Sequence, residues 1–319
     1  MKYYIGIDLG GTNIAAGVVN DNNEVIAKTS VKTGSGRELN LIVDDMAKVA
    51  KAAAESIGLT LADVEWVGVG APGTVNKATG IIEYSNNLGW YAVPLVAMLE
   101  ERTGKKVYIE NDANAAAYGE YVAGAAKNAD ISVMVTLGTG VGGGIVINNQ
   151  IYTGFNFAGA ELGHSVIVVD GRDCTCGRKG CWEKYASARA LAEDTVEAMK
   201  QNPDNMMWKL VDGDLSKVGA KTAFDALHAG DELAKAVVAN YLEYVACGLT
   251  NLINIFQPEI VCIGGGVSKQ GSVLIDPIQA YVDEEDYARN NISRTRIVCA
   301  ELFNDAGIVG AAMLGKQEA

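Results

Sequence analysis

Positive charge is scarce in this sequence. Lys and Arg number 26 against 39 Asp and Glu, which gives a formal net charge of −13. Nucleic acids and anionic membrane surfaces are bound by clustered Lys and Arg. The composition therefore argues against both as partners, and an anionic ligand would have to be held by a local site.

Long apolar runs are also lacking. The longest candidates are broken by Gly or by charge, and none approaches the roughly 20 residues that span a bilayer. The chain opens on an apolar strand, MKYYIGIDLG, without the basic, apolar and small-residue regions of a signal peptide. We therefore expect a soluble, cytoplasmic protein with reduced cysteines.

Histidine is rare, with two residues in the chain, and one of them precedes a cluster of cysteines. His164 lies upstream of Cys174, Cys176 and Cys181, which share a Gly-rich turn. Three thiolates and an imidazole can converge tetrahedrally, which is the ligand chemistry of structural zinc. A disulfide or incidental buried thiols are the alternatives, and a reduced compartment favours the metal. The remaining cysteines sit singly in apolar runs and are predicted to be core residues: Cys247, Cys262 and Cys299.

Two glutamates flank the cysteine cluster. Glu161 lies three residues before His164, and Glu183 lies two residues after Cys181. A loop tied by a metal would fix the direction of both carboxylates. A fixed pair of carboxylates is suited to recognising hydroxyl groups.

Two Gly-rich turns each join one strand to the next. The first, Asp8-Leu9-Gly10-Gly11-Thr12-Asn13, follows an apolar strand, and the second lies within 131–152. No helix follows the glycines, which excludes a Walker loop and a Rossmann fingerprint. Backbone N–H groups with Thr12 and Asn13 could bind phosphate, and Asp8 could hold Mg²⁺ through water. The alternative is an ordinary hairpin turn.

The chain length and this repetition predict two related α/β domains. A chain of 319 residues exceeds the usual single core. The strand–turn–strand pattern recurs about 130 residues apart, and the buried strands at 64–73 and 259–267 each follow a helical segment. The helical periodicity covers Leu39–Ile57 and Asp231–Phe256. Both halves therefore read as α/β units derived from an internal duplication.

Asp112 is the candidate general base. It follows a strand and begins an Ala-rich helix, where an N-cap role is the alternative. Asn111 adds a hydrogen-bonding amide beside it, and the pair lies between the duplicated halves, where a ligand cleft is expected. The Asp112 carboxylate could accept a proton from a substrate hydroxyl during phosphoryl transfer. The helix N-terminus is expected to depress the pKa of Asp112.

Five motifs together resemble the ROK family, and the bacterial glucokinases within it. They are DLGGTN at 8–13, END at 110–112, LGTGVGGG at 137–144, GAELGH at 159–164 and CTCGRKGCWEKYAS at 174–187. The resemblance implies an α/β protein of the actin/hexokinase-like ATPase fold, with two ribonuclease H-like domains and a cleft between them. The expected division is a small domain of 1–112 plus 305–319, to which the final helix returns, and a large domain of 113–304 carrying the zinc loop.

The resemblance also implies the site residues. Asp112 would be the base acting on the 6-hydroxyl of a sugar. The sugar-binding set would be Gly73, Asn87, Asn111, Asp112, Glu161, His164 and Glu183. The nucleotide would be held by Asp8, Gly10, Gly11, Thr12, Asn13, Gly138, Thr139 and Gly140, with Gly265 and Gly266 beside the adenosine. Zinc would be held by His164, Cys174, Cys176 and Cys181, and His164 would face the sugar with its other nitrogen.

The activity implied is ATP- and Mg²⁺-dependent phosphorylation of glucose to glucose 6-phosphate. A kinase for N-acetylglucosamine or N-acetylmannosamine is the first alternative, and a sugar-sensing regulator is the second. Polyphosphate or ADP could use similar loops as the phosphate donor. The family's repressors carry an N-terminal helix-turn-helix, whereas this sequence starts on the first phosphate-loop strand, so no DNA binding is expected. Homodimers or homotetramers are expected by resemblance.

Overall fold

The computed structural model describes residues 1–34 and 36–317. Thirteen β-strands occur in these residues: β1 Tyr3–Leu9, β2 Asn13–Asn20, β3 Val25–Lys32, β4 Val64–Ala71, β5 Thr74–Asn76, β6 Ile81–Ser85, β7 Trp90–Val93, β8 Val107–Asn111, β9 Ile131–Leu137, β10 Val141–Ile147, β11 Gln150–Ile151, β12 Ile260–Gly264 and β13 Arg296–Cys299. The α-helices of the same residues are α1 Leu39–Glu55, α2 Leu95–Thr103, α3 Asp112–Ala123, α4 Glu183–Ala186, α5 Ala188–Gln201, α6 Met207–Leu210, α7 Ala220–His228, α8 Glu232–Phe256, α9 Ser272–Glu285 and α10 Ala306–Met313. Short 3-10 helices cover Leu61–Asp63, Leu162–His164, Leu215–Lys217, Gly266–Gln270, Phe303–Asp305 and Leu314–Gln317.

The chain forms two compact units. The first comprises Met1–Met134, Gly144–Ala160 and Ala300–Ala319, and the second comprises Val135–Gly143 and Glu161–Cys299. The functional division suggested by the sequence, with boundaries at 112 and 305, stays a proposal. Residues 318 and 319 of that division lie outside the described residues.

The sheet of the first unit has the strand order β3-β2-β1-β4-β8. Strands β1, β2 and β3 pair antiparallel, whereas β4 pairs parallel with β1 and with β8. The helix predicted from the apolar periodicity of 39–57 is α1, which packs on β2 and β3 through a stripe that includes Ile42, Val43 and Met46. The carboxyl ends of β1, β4 and β8 therefore lie side by side at one edge of the sheet.

The small residues of α10 let that helix pack directly on the sheet of the first unit. A Cβ atom on Gly6 would lie 1.9 Å from the carbonyl oxygen of Ile308, and one on Gly68 would lie 1.8 Å from that of Ala311. Any side chain larger than hydrogen at these positions would force the helix away from β1 and β4. The C-terminal helix α10 thus packs on β1 and β4, while its assignment to a small domain of 1–112 plus 305–319 stays a prediction.

The second sheet repeats the order of the first. Its strands run β11-β10-β9-β12-β13, and β12 pairs parallel with β13. In both sheets a meander of three strands is followed by two further strands in the same positions, as the duplication predicts. The Gly-rich turn after β9 leads into strand β10 and not into a helix, which confirms that neither a Walker loop nor a Rossmann fingerprint is present there.

One helix in the described part of the chain, α8, is long and apolar enough by length and composition to cross a membrane. However, 56% of its most apolar window is buried inside the protein. A core helix of a soluble protein passes the same test, so α8 is weak evidence for a membrane span.

Candidate active site

The first Gly-rich turn is closed by hydrogen bonds to its own backbone and to Thr33. Gly10 N–H donates to Asn13 O at 2.9 Å, Thr33 Oγ1 donates to Gly10 O at 2.6 Å, and Thr33 N–H donates to Thr12 O at 2.9 Å. The side chains of Thr12 and Asn13 are exposed beyond these bonds. The turn therefore presents two polar side chains on a fixed backbone, as a phosphate loop requires. Thr33 lies outside every sequence motif and was not predicted to belong to the site.

Asp8 lies at the end of β1 in a mostly buried position. Gly307 of α10 is packed against it, since a Cβ atom there would lie 3.0 Å from the Asp8 carboxylate. Burial, followed by the negative charge of Asp112, raises the pKa of Asp8 to about 6. The structure therefore brings the two predicted carboxylates into one electrostatic environment within the first unit.

Asn111, and not Asp112, is the N-cap of α3. Its side-chain oxygen accepts from Ala113 N–H at 2.9 Å and from Asn114 N–H at 3.1 Å. Its Nδ2 donates to Gly73 O at 3.0 Å, and the Asn111 side chain also hydrogen-bonds to the Asp112 carboxylate. Because Asn111 caps the helix, helix capping does not explain why an aspartate stands at position 112. One Asp112 oxygen, Oδ1, accepts from Ala113 N–H at 2.9 Å.

Gly73 is required by its surroundings. Its φ is +110°, and a Cβ atom would lie 2.1 Å from the carbonyl oxygen of Tyr84. The structure thus brings the predicted residues Gly73, Asn111 and Asp112 together. Asn87 lies in the exposed turn between β6 and β7, and the hydrogen bonds of the Gly73–Asn111 group do not include it.

The expectation that the helix N-terminus depresses the pKa of Asp112 is wrong. Burial raises the pKa of this carboxyl above its ordinary value, and the hydrogen bonds from the backbone of α3 and from Asn111 offset only part of that rise. Desolvation penalises the charged form more than the first helical turn favours it. A carboxylate with a raised pKa is a better proton acceptor than an exposed one.

The second Gly-rich turn, at Gly138–Gly140, is braced from within the second unit. Gly138 N–H donates to Gly140 O at 3.0 Å, and Ala188 N–H donates to Gly138 O at 2.8 Å. Glu183 accepts from Val141 N–H at 3.0 Å through Oε2. A Cβ atom on Gly140 would lie 2.2 Å from that same oxygen. Glu183, predicted to bind sugar, therefore also holds the predicted phosphate turn, with Thr139 at its tip.

The two glycines predicted to lie beside adenosine differ in their surroundings. Gly265 has a φ of +86°, and a Cβ atom there would lie 2.5 Å from Leu137 O, so β9 requires glycine at this position. A Cβ atom on Gly266 would meet nothing within 4 Å. Gly266 therefore borders open space at the end of β12, where a flat ligand could approach the backbone.

His164 and the three cysteines form one cluster. The four ligand atoms of His164, Cys174, Cys176 and Cys181 all lie within 4.8 Å of one another. Cys176 Sγ is 3.6 Å from Cys181 Sγ, and Cys174 Sγ is 3.7 Å from His164 Nδ1. A tetrahedral zinc with Zn–S bonds of about 2.3 Å needs sulfurs about 3.8 Å apart. The donor set and its spacing therefore fit zinc, and Nδ1 is the nitrogen that faces the cluster.

None of the six cysteines, all of which lie in the described residues, is part of a disulfide bond, which argues against the disulfide alternative. Cys262 is buried as predicted, whereas Cys247 and Cys299 are only half-buried. Glu161 has an exposed side chain, and its carbonyl oxygen accepts from His164 N–H at 3.1 Å. The flanking glutamates are thus attached to the cluster at both ends, Glu161 through the backbone and Glu183 as the first residue of α4.

Comparisons with known proteins agree on fold and family. The glucokinase of Thermotoga maritima is 39% identical over 318 residues, which cover 98% of this chain and 97% of the relative. The glucokinase of Streptomyces coelicolor is 36% identical, with coverage of 99% and 98%. A crystal structure of a ROK family glucokinase from Streptomyces griseus in complex with glucose and AMPPNP matches with a TM-score of 0.81, 37% identity and 99% coverage of both chains.

The structural class follows from the repeated sheet order and from these matches. The protein is an α/β protein of the actin/hexokinase-like ATPase fold, as the sequence predicted. The sequence model of the ROK family matches residues 4–318, and the chain belongs to the ROK family.

Proposed function

We propose that the protein transfers the terminal phosphoryl group of ATP to the 6-hydroxyl of glucose, which gives glucose 6-phosphate and ADP. The observation that carries this proposal is the Asp112 carboxylate, which is partly buried and is relieved of the capping role by Asn111. It stands in a chain that is similar over its whole length to glucokinases. A partly buried carboxylate at the carboxyl end of β8 is suited to accept the hydroxyl proton as the new O–P bond forms.

In the proposed reaction the site residues have distinct roles. Asp112 takes the proton of the 6-hydroxyl, whose oxygen bonds to the γ-phosphorus while the bond to the β,γ-bridging oxygen breaks. The Asn111 side chain, hydrogen-bonded to Gly73 O and to Asp112, holds the base beside the sugar. Within the first unit, the exposed Thr12 and Asn13 side chains and the backbone of the first Gly-rich turn bind phosphate.

Two metals belong to the proposal. Mg²⁺, held near Asp8, would neutralise phosphate charge when bound. Zn²⁺ held by His164 and the three cysteines would have four protein ligands and no open position, which is a structural role. We also propose a cytoplasmic homodimer or homotetramer.

A coupled ATP-consumption assay with Mg²⁺ tests the function across glucose, mannose, fructose, N-acetylglucosamine and N-acetylmannosamine. We expect the highest kcat/KM with glucose. A preference for an acetylated sugar would replace the substrate but keep Asp112 as the base. No turnover with any sugar, or turnover only with polyphosphate or ADP, would overturn the ATP-dependent glucose kinase.

Asp8→Asn is expected to stabilise the fold and to reduce turnover. Because the pKa of Asp8 in the folded protein is about 6, the stability contributed by its protonated form is complete below about pH 4 and lost as the pH rises through 6. The variant should gain at most about 3 kcal/mol in free energy of unfolding at pH 7.5 and little at pH 4. Denaturant unfolding without Mg²⁺ at both pH values measures this.

The surface residue Asp21 provides the matched control. Asp21→Asn should leave kcat unchanged, and its effect on the free energy of unfolding should be small beside that of Asp8→Asn. A stability gain for Asp8→Asn that is equal at both pH values would contradict the assignment of the pKa. Unchanged kcat at saturating Mg²⁺ would contradict the proposed metal role of Asp8.

A further inference from the structure

Glu110 is a buried carboxylate directly before the Asn111–Asp112 pair, and only 2% of it is exposed. Its Oε1 accepts from the backbone N–H of Asn111 at 2.9 Å and from Asn114 Nδ2 at 3.1 Å. Its Oε2 lies 4.0 Å from the ammonium of Lys77, on the side where both residues line a cavity of about 350 Å³. A glutamate is rarely this buried unless it is paired or used.

The two bonds to Oε1 connect the last peptide of β8 with the first turn of α3. Asn111 is therefore held at its backbone by Glu110 and at its side chain by Ala113, Asn114 and Gly73. Asp112 is the next residue, so the direction of its carboxylate depends on the peptide that Glu110 orients. A misplacement of about 1 Å in a reacting group can lower a rate about 100-fold.

Stability alone does not account for a carboxylate at this position. Burial raises the pKa of Glu110, and the bonds from Asn111 and Asn114 and the charge of Lys77 offset only part of that rise. An apolar side chain of similar size could fill the space without this penalty. What an apolar side chain could not do is accept two hydrogen bonds that converge from the strand and the helix.

We infer that Glu110 is a positioning residue that orients Asn111 and Asp112 for phosphoryl transfer. The inference rests on the proposed function, because Asp112 must be the group that meets the sugar hydroxyl. Glu110 does not touch substrate in this role. It acts through the two residues that follow it.

The test is Glu110→Gln, which keeps the size of the side chain but has only one oxygen. If that oxygen stays on Asn111 and Asn114, the NH₂ group faces the Lys77 ammonium, and if the amide turns over, both bonds are lost. We expect kcat with glucose to fall by about 10- to 100-fold. The KM for ATP should stay within about twofold of the wild-type value, because the hydrogen bonds of Glu110 go to Asn111 and Asn114 and not to the phosphate-binding turns. Thermal melting establishes that kinetics are measured well below Tm.

Glu120→Gln is the matched control, since Glu120 is also fully buried and lies on α3. Its carboxylate accepts from the backbone N–H groups of Ala125, Glu301 and Leu302, at 2.9, 3.1 and 2.7 Å. It holds loops at the far end of the helix from Asp112. Glu120→Gln should lower Tm but leave kcat within about twofold of the wild type.

A second variant keeps the test decisive if Glu110→Gln does not fold. Asn114→Ala removes one of the two bonds to Glu110 and leaves a good helix former in α3. We expect Asn114→Ala to lower kcat a few-fold. In the double variant that combines Glu110→Gln with Asn114→Ala, the loss of kcat should be smaller than the product of the two single losses.

The experiments separate failure of the positioning role from failure of the proposed function. Wild-type kcat in Glu110→Gln and in Asn114→Ala, or equal losses in Glu110→Gln and Glu120→Gln, would overturn the positioning role while the glucose kinase stands. A wild-type protein that does not phosphorylate glucose would refute the proposed function, and the inference with it.

Discussion

Asp112→Asn is expected to lower kcat for glucose phosphorylation by about 10³-fold or more and to leave glucose binding within about threefold. An amide cannot accept the hydroxyl proton, and general base catalysis contributes about 10²- to 10⁴-fold. The substitution preserves the oxygen that accepts from Ala113 N–H, so α3 should keep its start. Coupled kinetics and calorimetric titration with glucose measure the two quantities.

Asp231→Asn is the matched control for this prediction. Asp231 also stands at a helix N-terminus, where its side chain caps α8 by accepting from Ala234 N–H at 2.8 Å. Asparagine is an equally good cap, so we expect unchanged kcat. If Asp112→Asn retained turnover near the wild-type value, Asp112 would not be the base, and the proton would have to go to another group.

Loss of the metal is expected to have the second largest effect. Purified protein should contain about one zinc per chain by elemental analysis, and Cys176→Ser should lose it. Cys176 is exposed, so its replacement removes a ligand with little change in packing. Because structural zinc binding is coupled to folding of the loop that holds it, we expect the variant to have a lower Tm. We also expect a large rise in KM for glucose, because the loop orients His164 and Glu183, which are predicted to bind the sugar.

Cys247→Ser controls for the loss of a thiol as such, because Cys247 is half-buried on α8 and outside the cluster. It should keep its zinc, its Tm within a few degrees and its KM. Metal-free protein with wild-type Tm and kinetics, before and after strong chelation, would refute the structural zinc. A Tm that falls equally in both variants would point to thiol packing as the cause.

The patterns that led to correct predictions involve residues that are close together in the sequence. Alternation of apolar strands with Gly-rich turns appears twice, and both copies fold into sheets with the same strand order. The four residues of the cysteine–histidine cluster fall within 164–181, and a single loop is enough to bring their ligand atoms within 4.8 Å of one another. Spacing of a few residues translates directly into proximity, so such features can be read without knowing the rest of the fold.

The features that were not predicted from the sequence depend on residues far apart in the chain. Thr33 closes the turn at Gly10, and Gly307 lies against Asp8 almost 300 residues earlier. The bond of Glu183 to Val141 spans 42 residues. The pKa of Asp112 was predicted in the wrong direction because the helix N-terminus is a local feature, whereas burial depends on everything packed around the carboxyl.

The sequence by itself determined the α/β class, the duplicated strand–turn–strand pattern, the cysteine cluster and Asp112 as the candidate base. These depend on periodicity, on turn residues and on ligand spacing, which act over a few positions. The tertiary structure decided that Asn111 takes the helix cap, that Glu110 ties strand to helix, and that Asp8 and Asp112 share one environment. Desolvation and long-range hydrogen bonds exist only once separate segments have packed together.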